Sequence, residues 1–189
     1  MRTRDQAKYD SIIDASIRLT NELGFDGISI AKIAKKAKVS PATIYIYFEN
    51  KEDLFTKIYV DIRQKMSQGA LEGIEEGMKT EEAFKSIWYH SFKSNIQHPE
   101  YLTYREQFEQ TTMMRRIKHE DFKLFQAVDE LLKRGINEKT IKNHPLPILT
   151  AFAYAPIITL LKYNQAGIIK MDDDDIKQAC EIAWNAIRL

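Results

Sequence analysis

The chain has 189 residues, 44% of them hydrophobic, which is enough to bury a core and fits one mid-sized domain or a small domain fused to a larger one. Its 28 Lys and Arg against 27 Asp and Glu give a formal net charge of +1, so a polyanionic partner would have to be met by a local patch. The single cysteine, Cys180, excludes an internal disulfide and a thiolate metal cluster, and seven Gly and five Pro leave little punctuation for a many-stranded sheet, so an all-α chain is expected.

The first residues, MRTRDQAKYD, run directly into a charged amphipathic pattern without the apolar centre of a signal peptide, so a cytoplasmic location is expected. From Asp5 to Leu23 the apolar positions Ile12, Ile13, Ala15, Ser16, Leu19 and Leu23 recur at helical spacing and Gly24 follows, which predicts helix 1. Ser29 is placed to cap a short second helix, Ile30 to Ala37, with Ile30, Ile33, Ala34 and Ala37 on one stripe. After a tight break at Lys38 and Val39, Ser40 caps a third helix with Pro41 at its first position, ending near Phe48. Asn50, with Asp53 three residues on, opens a long helix through Asp61 and Met66 that frays at Gly69, Gly73 and Gly77. Five further helices are expected over 80–97, 99–114, 118–134, 145–166 and 172–187, about nine in all, with stops at Pro99, Gly135, Pro145 and Gly167. The uncharged stretch Leu146 to Leu161 is shorter than the roughly 20 residues a bilayer requires and holds two prolines, so it reads as a buried helix and no membrane partner is expected.

Two short helices inside a three-helix unit are the arrangement that lays a second helix in the major groove of DNA. The segment SPATIYIYFENKE, residues 40–52, adds content to that geometry. Small residues at the helix start permit close approach to base edges, Thr43, Tyr45 and Tyr47 carry hydroxyls able to donate to phosphate, and Lys51 supplies charge at the start of the next helix. Lys32, Lys35, Lys36 and Lys38 flank it, and Glu49 is the only acid between Gly27 and Lys51. Phe48 reads as core of the small domain; Tyr45 divides between core and groove.

Residues 12–54, IIDASIRLTNELGFDGISIAKIAKKAKVSPATIYIYFENKEDL, resemble the DNA-binding domain of TetR-family regulators nearly position for position. The resemblance implies a homodimer whose two recognition helices read adjacent major grooves of a palindromic double-stranded operator and let go when a small-molecule effector enters the C-terminal domain. By matching positions it implies phosphate contacts from Thr43, Tyr47 and Lys51, groove-facing Ser40, Pro41, Ala42 and Tyr45, and Ser29 as the cap of the second helix. The family usually places glycine where this chain has Lys38, so a left-handed backbone there would cost on the order of 1 kcal/mol.

The rest of the chain is read as the sensing and dimerising half, giving domains of 1–48 and 49–189. Aromatic stripes on the helices over 80–97 and 99–114 are the composition of a core or of a pocket lining, and both stay open. The candidate ligand residues are Trp88, Phe92, Tyr104, Phe108 and Tyr154; Glu106 and Glu109 read either as a solvated face or as balance for a cationic ligand. The candidate dimer seam is Phe152, Ala155, Thr159, Ala179, Ala183 and Trp184 on the last two helices, with burial inside one subunit as the competing account. His90, His98, His119 and His144 lack metal-ligand spacing, and the run Asp172 to Asp175 reads as a helix cap. No cofactor or catalytic fingerprint is present, so a regulator and not an enzyme is expected. Its function reads as a repressor released by a hydrophobic or aromatic ligand; the alternative is a helix-turn-helix dimer that regulates or organises DNA without a ligand.

Overall fold

The structure, a computed structural model, describes residues 3–117 and 123–189. Among the described residues it is helical throughout, with one isolated β-bridge between Ile141 and Arg188. The helices are α1 (Thr3–Leu23), α2 (Ile30–Ala37), α3 (Pro41–Tyr47), α4 (Lys51–Ala70), α5 (Thr80–Gln97), α6 (Pro99–Glu109), α7 (Lys123–Asn137), α8 (Leu146–Ala153), α9 (Ala155–Gln165) and α10 (Asp173–Ile187), with a 3-10 turn at Thr112–Arg116. Helices α8 and α9 are the single expected helix interrupted only at Tyr154, where Pro156 removes a backbone donor. Counted as one, they make nine among the described residues.

Two compact units divide the chain. The first holds α1, α2, α3, the start of α4 as far as Arg63, and α6 with the 3-10 turn that follows it. In α1 the side chains of Ile12, Ile13, Ala15, Ile17 and Leu19 are buried, whereas Leu23 is half exposed and leaves the stripe assigned to it. Gly24 ends the helix at φ +70°, a left-handed value that glycine adopts without a Cβ penalty. Ile33, Ala34, Ile44, Phe48, Leu54 and Ile58 close the core of α2, α3 and α4. Helix α6 stops at Glu109, short of the expected 114, because the Thr111 hydroxyl and N–H both turn back to the Phe108 carbonyl, at 2.7 and 2.9 Å.

The second unit holds the end of α4, then α5, α7, α8, α9 and α10. Helix α5 packs on α7, α9 and α10, and its buried stripe Phe84, Ile87, Trp88, Ser91, Phe92 and Asn95 follows the 3.6-residue period. Residues 118–122, the expected start of α7, lie outside the described residues. Gly135 does not stop α7, which continues to Asn137; a Cβ there would collide with the side chains of Ile141 and Thr80. The left-handed residue that follows is Lys139, at φ 58°. Asp172 caps α10, its carboxylate accepting from the N–H groups of Asp174 and Asp175 at 2.9 Å while Asp175 accepts from the N–H of Asp172. Capping therefore accounts for the acidic run.

Candidate nucleic-acid interface

The recognition element is built by its caps. Ser29 accepts from the Lys32 N–H at 3.3 Å to start α2, and Ser40 accepts from the Thr43 N–H at 3.2 Å to start α3, with Pro41 at the first turn. Between them Lys38 sits at φ 57°, ψ 39°, and its N–H reaches the carbonyls of Ala34 and Lys35. The turn thus takes the left-handed form that glycine favours, with a lysine in it, at a cost of about 1 kcal/mol.

Helix α3 is anchored through Ile44, which is fully buried, and by Phe48 just beyond it. The opposite face carries Pro41, Ala42, Tyr45 and Ile46, all exposed. Tyr45 therefore belongs to the open face, and Phe48 to the core, where it stacks on Tyr9 at 5.6 Å. Sequence reasoning omitted Ile46, which is 77% exposed and is the most open large apolar side chain of the helix. The signal was available: Ile46 lies four residues after Ala42, on the same helical face.

The polar candidates are held locally. Ser40 and Thr43 share a hydrogen between their hydroxyls at 2.9 Å. The Tyr47 hydroxyl donates to the Asp5 carbonyl of α1 at 3.2 Å, and the Lys32 ammonium to the Gly27 carbonyl at 2.8 Å. Lys51 donates to the carbonyls of Ile28 and Phe25, at 3.1 and 3.5 Å, fastening the connection between α1 and α2. Lys35, Lys36 and Lys38 are exposed around the element.

The five candidate ligand residues fall in two clusters. In the second unit Trp88 stacks on Phe92 at 5.9 Å and donates its indole N–H to the Ala153 carbonyl at 2.9 Å, while Tyr154 lies 5.2 Å from the Phe84 ring. The Tyr154 hydroxyl is buried without a hydrogen-bond partner, and burial holds its proton well above the usual phenol range. In the first unit Phe108 stacks on Tyr59 at 4.3 Å, and the Tyr104 hydroxyl donates to the Phe55 carbonyl at 3.0 Å. The polar tips of Trp88 and Tyr104 are thus satisfied by the chain's own backbone. Glu109 Oε1 lies near the chain's own Tyr59 hydroxyl, Arg63 and Arg105.

Of the candidate seam, Phe152, Ala155 and Thr159 are exposed and Ala179 is half-buried, but Ala183 and Trp184 are buried within the chain, with Trp184 5.1 Å from Phe84. The stripe on α10 is the seal of the subunit's own core, and the large apolar side chain that helix leaves open is Ile182, at 71% exposure.

Residues 12–58 match the family of bacterial regulatory proteins of the tetR type, and residues 80–188 match a tetracyclin repressor-like C-terminal domain. The chain is 42% identical over 72 residues to the fatty acid metabolism regulator protein of Bacillus subtilis, a match covering 38% of this chain and 35% of that protein. A crystal structure of a TetR-family regulator from Marinobacter aquaeolei superposes with a TM-score of 0.86 at 30% identity, covering 100% of this chain and 99% of the other. A Bacillus subtilis FadR regulator in complex with stearoyl-CoA shares the fold with a TM-score of 0.75 at 21% identity, over 94% and 96% of the two chains.

Proposed function

Because the chain belongs to the TetR family of DNA-binding transcription regulators, we propose that it is a homodimeric repressor that leaves a palindromic operator when a small hydrophobic or aromatic ligand binds. The observation that carries the DNA half is the open face of α3, where Pro41, Ala42, Tyr45 and Ile46 stand exposed beside Lys35, Lys36 and Lys38. Small and apolar groups on a groove-entering helix read base edges and thymine methyls, while the surrounding cations and hydroxyls take phosphates. Lys32, Tyr47 and Lys51 then have two tasks: they tie the element together on carbonyls, and a lysine with three donors can keep one such bond while adding a phosphate.

Dimerisation is supported by what one subunit leaves uncovered. The stretch Leu146–Gln165 is long and apolar enough to cross a membrane by composition, yet only 22% of it is buried within the chain. Ile148 and Phe152 on α8 and Ile182 on α10, two helices that pack on each other, are exposed. A second copy covers such a surface as the paired helices of a four-helix seam.

Ligand release is supported by relatives, one of which is a structure solved with stearoyl-CoA, and by the unpartnered Tyr154 hydroxyl inside an aromatic cluster. A regulator that works without a ligand is favoured by a different observation, the internal bonds that satisfy Trp88 and Tyr104. Selection of bound duplexes from a random pool tests the DNA reading. A palindrome with half-sites about 34–36 Å apart is expected, and bulky replacement of Pro41 or Ala42 should change its sequence; an unchanged profile would remove α3 from the groove.

A further inference from the structure

Helix α3 reads PATIYIY and contains no Arg, Lys, Asn, Gln, Asp or Glu. Those are the side chains that specify a base pair by hydrogen bonds, Arg and Lys on guanine, Asn and Gln on adenine, Asp and Glu on cytosine. The hydroxyls of the element are engaged within it: Ser40 and Thr43 share a hydrogen at 2.9 Å, and Tyr47 donates to the Asp5 carbonyl at 3.2 Å. Tyr45 keeps its hydroxyl on the open face, but a hydroxyl both donates and accepts and so separates one base edge from another poorly. The cations stand beside α3 and not on it. Lys35 and Lys36 belong to α2 and Lys38 to the turn, all exposed, where a helix-turn-helix meets the DNA backbone.

What α3 offers to a base is therefore apolar. Ile44 and Phe48 hold the helix to the core from one side, and Ile46 projects from the other, one turn beyond Ala42. Pro41 and Ala42 are short and permit close approach, whereas Ile46 has reach, and its β-branch leaves it few rotamers to lose on contact. The apolar group that the major groove presents is the C5-methyl of a pyrimidine, which thymine carries and unmodified cytosine lacks.

We propose that Ile46 is the specificity-determining residue of this helix and that it reads a 5-methylpyrimidine, thymine or 5-methylcytosine, in each half-site. This rests on the operator reading above and gives that reading the chemistry of its base; it also makes operator affinity responsive to cytosine methylation at that position.

Anisotropy of the palindrome selected from the random pool, with the full chain at fixed ionic strength, tests it. Each thymine is replaced in turn by uracil, which removes only the methyl group, symmetrically in both half-sites. At one position or more the affinity should fall about fourfold per half-site, the equivalent of one buried methyl group. Ile46→Ala changes an exposed position and keeps the fold; it should bind the thymine duplex more weakly and lose the uracil penalty at that position. With a cytosine–guanine pair placed there, methylation of the cytosine should tighten wild type by about the same factor and leave Ile46→Ala unaffected. Half-sites without thymine, thymines that all tolerate uracil, methylated and plain cytosine bound equally, or wild-type affinity in Ile46→Ala would each overturn the assignment. So would a uracil penalty that survives in Ile46→Ala, since the methyl would then act through DNA shape or another residue. In each of these the duplex is still bound and the operator reading stands. A pool that yields no shared sequence would sink the operator reading and the assignment together.

Discussion

Lys38 shows how one residue connects backbone energetics to DNA binding. Held at φ 57°, it carries the left-handed penalty that glycine avoids. Replacement by glycine should therefore raise unfolding stability by about 1 kcal/mol, read in a denaturant melt, while lowering the salt slope of operator binding if the ammonium meets a phosphate. Lys51 should behave oppositely. Its bonds to the Ile28 and Phe25 carbonyls predict that Lys51→Ala loses on the order of 1 kcal/mol of stability; a variant as stable as the wild type would mean those bonds contribute nothing. Cys180 is 4% exposed, and burial pushes its thiol up to about 12, so the neutral, shielded form persists at neutral pH. Iodoacetamide should leave it unmodified until the chain unfolds, and rapid alkylation of the native protein would contradict that environment.

At the scale of elements, α10 separates two outcomes that its sequence pattern could not. Ala183 is packed inside the subunit, so Ala183→Glu buries a charge and should unfold the chain, whereas Ile182→Glu on the open side should leave helical content intact and split the dimer. Circular dichroism with sedimentation distinguishes them, and an Ile182→Glu variant that remains dimeric would move the seam elsewhere. The N-cap residues were legible in the sequence: Ser29, Ser40 and Asp172 start the helices they were expected to start, because capping is a local hydrogen bond. Which side of an amphipathic helix meets its own core was less legible. On α10 the apolar stripe was visible, but a stripe looks alike whether it packs against α5 in the same chain or against a second copy. Gly135 misled for a related reason, since its role is close approach to Ile141 and not a helix stop. Arg105 and Glu109 are one helical turn apart on α6, but Arg63 of α4 reaches them only through the fold, so that meeting was illegible in the sequence.

For the whole molecule, the proposed function makes the exposed recognition face, the uncovered apolar surface and the ligand-responsive half parts of one two-state device. A ligand can move such a device only through different affinities for its DNA-bound and free forms, and a shift from mostly bound to mostly free takes a few kcal/mol of that difference. The most direct measurement is a titration of the wild-type protein on its selected palindromic duplex with a panel of apolar, aromatic and acyl compounds, following operator anisotropy and tryptophan fluorescence together. At least one compound is predicted to change tryptophan emission and release the duplex over the same concentration range, with two chains leaving per duplex. A panel that alters neither signal, while the duplex stays bound by a dimer, would contradict ligand release and leave a regulator that acts without an effector.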